Sequence, residues 1–488
     1  MSDVRPWTVH TGDCRVSLGG MDEESVDAIV TDTPYGLSTL LDPWNLDREA
    51  LWQKLTAGKA ELPIKTLMRA WLDTGENPVM KGRGFMGKEW DALVPPPNTW
   101  LAAWRVLKPG AVLMAFGGTR TYDLITMAIR FAGFEVDDQI CTWLQGQGMA
   151  KRVRLSLKID ERCESLADKR ARRALAKKLK TSIPPVEHPH GRPFKGHDRA
   201  LGPKWEPIIV ARKPCRGTIA ATALRYGTGG FNVDGCRIPR ETIPAFNGGE
   251  RSGRTGGGIM GPACPRGPTP ENNRGGYPAN VVVDERVAQV LDAQSGQMRD
   301  GVAVKRNTEV GKVTGRTFQF GNTGIDRTFG GGGGASRFFY TAKASTSERD
   351  KGLEDLPAMT AGEKTGREDD TAGVSPYAGA RADGGRNPHP TVKPISLMRW
   401  LVRLASPPGA WDPDISKRPV VVDMFAGSGS TLVAGLAEGV RVVGCEMDPQ
   451  MADVSRRRCQ NAYALPREES GIERAEDAAL PKGQSSLF

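Results

Sequence analysis

The sequence predicts an α/β protein with buried parallel strands, and three observations carry that expectation. Short apolar, β-branched runs such as Val26-Asp27-Ala28-Ile29-Val30 and Val420-Val421-Val422 have the composition of strands covered on both faces. Helical segments with clear stop signals separate such runs in the βαβ manner. Two of the runs lead into chemically loaded turns, Thr31-Asp32-Thr33-Pro34-Tyr35-Gly36 and Asp423-Met424-Phe425-Ala426-Gly427-Ser428-Gly429. Open α/β sheets bind their ligands at the carboxyl ends of strands, where these turns fall.

In chain order, residues 7–10 read as a short strand ending at Thr11-Gly12-Asp13-Cys14, with a helix between it and the strand at 26–30. Residues 37–97 are irregular and rich in Trp and Pro. A helix over 99–107 is expected to stop at Lys108-Pro109-Gly110. A buried strand at 111–116, a helix at 122–132 capped by Gly133, and a strand at 135–143 follow. The character changes near residue 150. Residues 151–216 hold 19 Lys/Arg against 7 Asp/Glu, and 168–180 (DKRARRALAKKLK) reads as a basic helix, with a solvated face as the plain alternative. An apolar strand at 206–213 returns to the sheet. Residues 217–335 are loop-rich, with Gly runs at 248–258 and 330–334 and a strand-like piece at 279–283. Order returns at Asn387-Pro388-His389-Pro390-Thr391-Val392-Lys393-Pro394 and a helix through Leu397, Trp400 and Leu404. The strand at 420–423, its glycine turn, a helix ended by Gly439 and a strand over 441–445 ending in Glu446 complete the pattern. Asp448-Pro449 opens a last helix.

Length and composition narrow the function classes. At 488 residues there is room for about two or three domains. The expected division is 1–150 and 387–465 as two halves of one α/β domain, 151–345 as a basic, Gly-rich binding region, 346–386 as a linker and 466–488 as a disordered tail. The formal charge of +10 favours a polyanionic partner. Eight cysteines without a Cys-x-x-Cys pair argue against a zinc cluster or disulfide framework and for a reducing cytosol. No metal site is expected. No run approaches the ~18 apolar residues a membrane helix needs.

The turn at Asp32 makes a polar, aromatic pocket suited to a flat base carrying an exocyclic amine. Asp32 and the Thr33 carbonyl can accept the two amine hydrogens, Pro34 stiffens the turn, and Tyr35 can stack on the ring. At the second turn, glycines let the backbone approach a ligand, and Glu446, 17 residues after Gly429, stands where an acidic residue holds ribose hydroxyls. A dinucleotide fingerprint wants a third glycine where the chain has Leu432, and no Gly-Lys-Ser/Thr phosphate loop is present. An adenosine without a pyrophosphate, S-adenosylmethionine, fits better.

The pairing of Phe425-Ala426-Gly427-Ser428-Gly429 with Asp32-Thr33-Pro34-Tyr35 resembles the DNA amino-methyltransferases, which modify adenine N6 or cytosine N4. With the catalytic motif first and the cofactor motif last, the order resembles the β group, a circularly permuted Rossmann-like methyltransferase sheet with an inserted target-recognition region. The resemblance covers roughly residues 7–37, 85–145, 205–213 and 387–460. It implies Asp13 near the cofactor adenine, Thr391 and Lys393 beside the methionine portion, and Phe425, Gly427, Gly429 and Glu446 completing the pocket. Phe338-Phe339-Tyr340-Thr341-Ala342-Lys343, Lys88-Glu89-Trp90-Asp91 and Trp205-Glu206-Pro207 are similar to phage and bacterial members. The family usually has Pro where this chain has Thr33.

The resemblance implies double-stranded DNA as partner, with the target base flipped out of the stack; the basic helix, by its charge, is expected to supply phosphate contacts from Lys169, Arg170, Arg172 and Arg173. A homodimer is left open. Adenine N6 is expected over cytosine N4, because Asp32 resembles the adenine-modifying members where cytosine-modifying ones often carry Ser. Methylation of RNA or of a protein amide, a non-catalytic DNA-binding protein and a fusion to a nuclease are the rival readings. The intact Asp32, Tyr35, Gly427, Gly429 and Glu446 speak against decay of the site.

Overall fold

A computed structural model describes residues 5–35, 63–78, 93–137, 140–146, 154–179, 183, 186–198, 201–202, 204–239, 275–299, 332–342, 347–359, 385–389 and 391–464. The expectations for Gly36, Lys88-Glu89-Trp90-Asp91, the glycine run at 248–258, most of the linker and the tail fall outside these residues.

The strands are β1 (Trp7–Thr11), β2 (Val26–Asp32), β3 (Leu107–Phe116), β4 (Glu135–Val136), β5 (Cys141–Leu144), β6 (Trp205–Arg212), β7 (Val281–Asp284), β8 (Met298–Arg299), β9 (Gly332–Gly333), β10 (Tyr340–Ala342), β11 (Val420–Asp423) and β12 (Arg441–Glu446). Ten of them form one sheet in the order β1-β12-β11-β2-β3-β6-β5-β7-β10, with β4 also paired to β6. The first five strands in this order run parallel, and β6 alone is antiparallel to those beside it. The last strands of the chain therefore lie between β1 and β2, which are its first.

Alternate residues explain why both faces are covered. Ala28, Val30, Val112, Met114, Ile208, Val210 and Val421 share one buried cluster with Leu397, Trp400 and Leu401 of the helix Ile395–Ala405. Their neighbours Ile29, Leu113, Ala115, Ile209, Ala211 and Val422 share the other with Trp100, Ile125 and Ile129, from the helices Pro97–Val106 and Tyr122–Phe131. The continuous apolar runs of the sequence are thus strands buried on both sides.

Three elements differ from expectation. Lys108-Pro109-Gly110 ends a helix but lies inside β3, which begins at Leu107. Lys108 is held there by an ion pair to Asp27 at 2.6 Å, and Gly110, at φ +74°, donates to the Lys213 carbonyl at 2.9 Å. The strand expected over 135–143 is divided into β4 and β5, both antiparallel to β6. Residues 217–335 contain two helices beyond expectation, Ile219–Tyr226 and Glu285–Ser295, each opened by a side-chain cap, from Thr218 and Asp284. The strand expected to return to the sheet near 206–213 is β6, and the sheet runs further still through β7 and β10, from the Gly-rich stretch.

Candidate active site

The site forms where β2, β11 and β12 end side by side. The Thr31 hydroxyl donates to Asp423 Oδ1 at 2.6 Å, joining residues 392 positions apart. At the other end of the same pair, the Val420 N–H donates to Asp27 Oδ2 at 2.8 Å. Strand register, rather than loop placement, therefore brings the two turns together. Asp423 is buried beneath them, and burial pushes its carboxyl up to about 6 against hydrogen bonds from Thr31, Thr431 and the Phe425 N–H.

On the Asp32 side, the buried Thr33 hydroxyl donates to the Phe116 carbonyl of β3 at 2.6 Å. A side-chain hydrogen bond thus fixes the turn at the position where the family usually relies on a proline ring. The Thr121 hydroxyl donates to the Tyr35 carbonyl. The Tyr35 hydroxyl lies 3.1 Å from Asp32 Oδ1 and 3.2 Å from Glu206 Oε2. Lys393 reaches the same point from the segment before the helix Ile395–Ala405. Its ammonium donates to Asp32 Oδ2 at 2.6 Å and lies 3.1 Å from the Tyr35 hydroxyl and 3.3 Å from Glu206 Oε2. Burial first, then the two carboxylates, push the Tyr35 phenol well above its ordinary range, so it stays protonated. Burial works against the Lys393 charge, but Asp32 and Glu206 outweigh it and raise the ammonium above its ordinary value.

On the glycine side, Gly427 and Gly429 adopt φ of +52° and +80°, which favour glycine. A Cβ on Gly427 would meet His389 Nε2 at 3.0 Å, and one on Gly429 would run into Ser455. The Glu446 carboxylate accepts from the Gly427 N–H at 2.7 Å and the Asp448 N–H at 2.8 Å. Burial nevertheless raises it above the usual carboxylate range. The buried Arg458 guanidinium donates to the Ser428 carbonyl at 2.7 Å and fixes the turn from beneath. Phe425 is half-buried, its ring edge-on to Trp100 at 6.5 Å. Asp13 follows β1, where the Gly12 N–H donates to the Glu446 carbonyl at 2.8 Å. The Asp13 side chain caps the helix Cys14–Gly19 and pairs with Arg15 at 2.6 Å, which holds its carboxyl below the usual range. Thr391 is exposed, its N–H 3.3 Å from His389 Nδ1.

The structure thus gathers Asp32, Thr33, Tyr35 and Lys393 at one turn and Gly427, Gly429, Phe425, Glu446 and Asp13 around the next. Lys393, expected beside the methionine portion of a cofactor, donates to Asp32. Glu206, its supporting Gln145 (Nε2 to Glu206 Oε1, 2.6 Å) and His389 were not singled out by reasoning from residue chemistry. An acidic residue near the start of the buried strand 205–212 was the available signal for Glu206. The basic helix, Leu166–Leu179, is formed as expected. Arg170 and Arg173 on it are exposed, whereas Arg172 pairs with Glu164 at 2.8 Å and donates to the Ile183 carbonyl.

Two buried groups give the fold a pH signature. Burial, then Lys393, pushes the His389 imidazole down to about 4. Its unfolded form binds the proton more readily, so its contribution to stability falls as pH drops from about 6.5 to about 4. Asp423 has the opposite sign: its carboxyl is raised to about 6, so its contribution grows as pH falls through the same window. The two act in opposite directions. Asp423→Asn keeps an acceptor for Thr31 but removes one of the pair. Urea denaturation of this variant is expected to show stability falling between pH 6.5 and 4 more steeply than in the parent; parallel curves would contradict the assignment.

Residues 26–457 match the model of the N6/N4 DNA methylase family, and the chain belongs to that family. Both turns lie within the match. The YubD protein of Escherichia coli (strain K12), a methylase by description, is 36% identical over 74 residues, 15% of this chain and 29% of that relative. The match thus spans under a third of that relative's length. Solved structures similar to this chain include a Thermus thermophilus protein, described as a DNA modification methylase, complexed with S-adenosyl-L-methionine. That pair shares 15% identity over 93% of this chain and 95% of the other, with a TM-score of 0.31. The PvuII DNA methyltransferase, cytosine-N4-specific, shares 10% identity over 97% of this chain and 89% of the other, with a TM-score of 0.35.

Proposed function

We propose that the protein is an S-adenosylmethionine-dependent DNA methyltransferase acting on the exocyclic amine of a flipped-out base, adenine N6 in preference to cytosine N4. The observation that carries the reading is the adjacency of the two turns, an acceptor–aromatic turn at Asp32 and a glycine turn with a carboxylate at Glu446, across neighbouring strands β2 and β11. The strand order, with β11 and β12 inserted between β1 and β2, supports a circularly permuted methyltransferase sheet.

The residues fit the cofactor. The cradle at Gly427 is one a Cβ would close against His389, the Glu446 oxygens keep lone pairs for ribose hydroxyls, and Phe425 offers a half-buried ring. When bound, S-adenosylmethionine supplies an electrophilic methyl group. The chain's task is then positioning and electrostatics. Asp32 and the Thr33 carbonyl hold the amine's hydrogens and favour a pyramidal nitrogen whose lone pair is free to attack. Tyr35, neutral and pinned through its carbonyl, stacks on the base. Asp32 favours adenine because a charged acceptor makes roughly twice as strong a hydrogen bond as a neutral one, and the resemblance associates Ser with cytosine.

The basic helix supplies phosphate contacts. Changing Lys169, Arg170 and Arg173 to Ala is expected to weaken binding alike for all duplex sequences and to flatten the slope of log K against log salt by about 0.9 for each phosphate no longer neutralised. Arg172, paired to Glu164, is expected to affect stability instead. An unchanged salt slope would make the helix a solvated face. The function itself is tested by sequencing DNA from cells expressing the chain with a method that detects modified bases. Methyladenine in one sequence context is expected. Methylcytosine at N4 would favour the cytosine-specific reading, and unmodified DNA would contradict both.

A further inference from the structure

We propose that Lys393 and Glu206 are positioning residues of the base pocket: Lys393 holds the Asp32 carboxylate in place, and Glu206 holds Lys393. The inference rests on the amino-methyltransferase reading above and concerns residues that reading does not use on the base side. An ammonium has three donors, and the Lys393 nitrogen has three acceptors around it, at 2.6, 3.1 and 3.3 Å. They come from Asp32 at the end of β2, from Tyr35 in the turn that follows and from Glu206 in β6. The side chain is 8% exposed, and the ammonium lies 4.8 Å from the centre of the Phe116 ring. Glu206 is itself anchored, because its other oxygen accepts from Gln145, whose backbone N–H donates to the Lys204 carbonyl at 2.8 Å.

The division of the Asp32 oxygens is the consequential detail. Oδ2 is taken by Lys393, whereas among the described residues Oδ1 receives the longer contact from Tyr35. Oδ1 therefore keeps a lone pair for an incoming amine, and the Lys393 bond prevents the carboxylate from turning away from it. Without Lys393, two carboxylates facing one phenol would repel and separate. Among the described residues, further charged or titratable neighbours are Asp423, buried behind Asp32, and His389, on the Lys393 segment. A role in holding Asp32 and a role in binding the cofactor's methionine portion predict different defects.

The test uses the full chain, with Lys393→Ala, Glu206→Gln and the double variant, and Lys393→Met as a variant that keeps the buried stem. Methyl transfer to duplex DNA and calorimetric S-adenosylmethionine affinity are measured together. Lys393→Ala and Lys393→Met are expected to lower kcat about 100-fold, the effect of misplacing a reacting group by an ångström, with cofactor Kd unchanged. Glu206→Gln should lose less, and the double variant should be no worse than Lys393→Ala, since Glu206 acts through Lys393. Ethylamine added to Lys393→Ala should restore rate with saturation, which a purely structural role would not allow. Wild-type kcat in Lys393→Met, a cofactor Kd that weakens in step with rate, or additive losses in the double variant would overturn the proposal. A wild-type chain that binds cofactor yet methylates no duplex contradicts the reading beneath, and the proposal falls with it.

Discussion

Replacing Asp32 by Ala is expected to lower methyl transfer by about two to three orders of magnitude, the usual effect of deleting a group aimed at developing charge. Cofactor affinity should stay at the parent value. The reason is geometric. Asp32 ends β2 with its side chain 24% exposed, so its removal leaves no core cavity. The glycine turn is held by Glu446 and Arg458, which it does not touch. The acceptor for the amine, the partner of Lys393 and a contact to the Tyr35 hydroxyl are lost. Stopped assays with labelled cofactor, alongside calorimetry, separate the two effects. Near-parental rates would move the active site elsewhere.

Glu446→Ala should give the converse defect. Its carboxylate accepts from the Gly427 N–H of the glycine turn and the Asp448 N–H and, on the proposed function, from the ribose hydroxyls. Losing one charge-assisted hydrogen bond of about 1.5–3 kcal/mol corresponds to roughly 10- to 100-fold in cofactor Kd. Gly427→Val should weaken binding as well, because a side chain at φ +52° is strained and would press on His389. Calorimetry showing parental affinity in both variants would remove the glycine turn from the cofactor site. Melting curves run in parallel show how much of the loss is collapse of the turn.

Much of the sheet was legible because its strands are buried on both faces, which leaves a continuous apolar run that no helix period disguises. The runs at 26–30, 111–116, 420–423 and 441–446 lie in strands, and the one at 206–213 does so up to Arg212. Their order in the sheet was not legible from residue chemistry, since pairing of β2 with β11 depends on contacts 392 positions apart, such as Thr31 to Asp423. The Lys108-Pro109-Gly110 stop signal is real for the helix, but an ion pair to Asp27 and a positive-φ glycine let the next strand begin within it. Asp32 and the glycine turn stood out because their types are unusual at strand ends. Glu206 did not, as a carboxylate at the start of a strand looks like ordinary solvent-facing polarity until Lys393 is seen between it and Asp32. Nor did Thr33 reveal its hydrogen bond to Phe116, which depends on a neighbouring strand 83 residues away.

The most direct measurement supplies S-adenosylmethionine carrying a trideuterated methyl group to the purified chain and duplex DNA, then digests the DNA to nucleosides and weighs them. The account predicts deoxyadenosine heavier by one trideuteromethyl group, with the label on N6 and absent from the Asp32→Ala variant. Unlabelled DNA, or label on a ring carbon rather than an exocyclic amine, would contradict it.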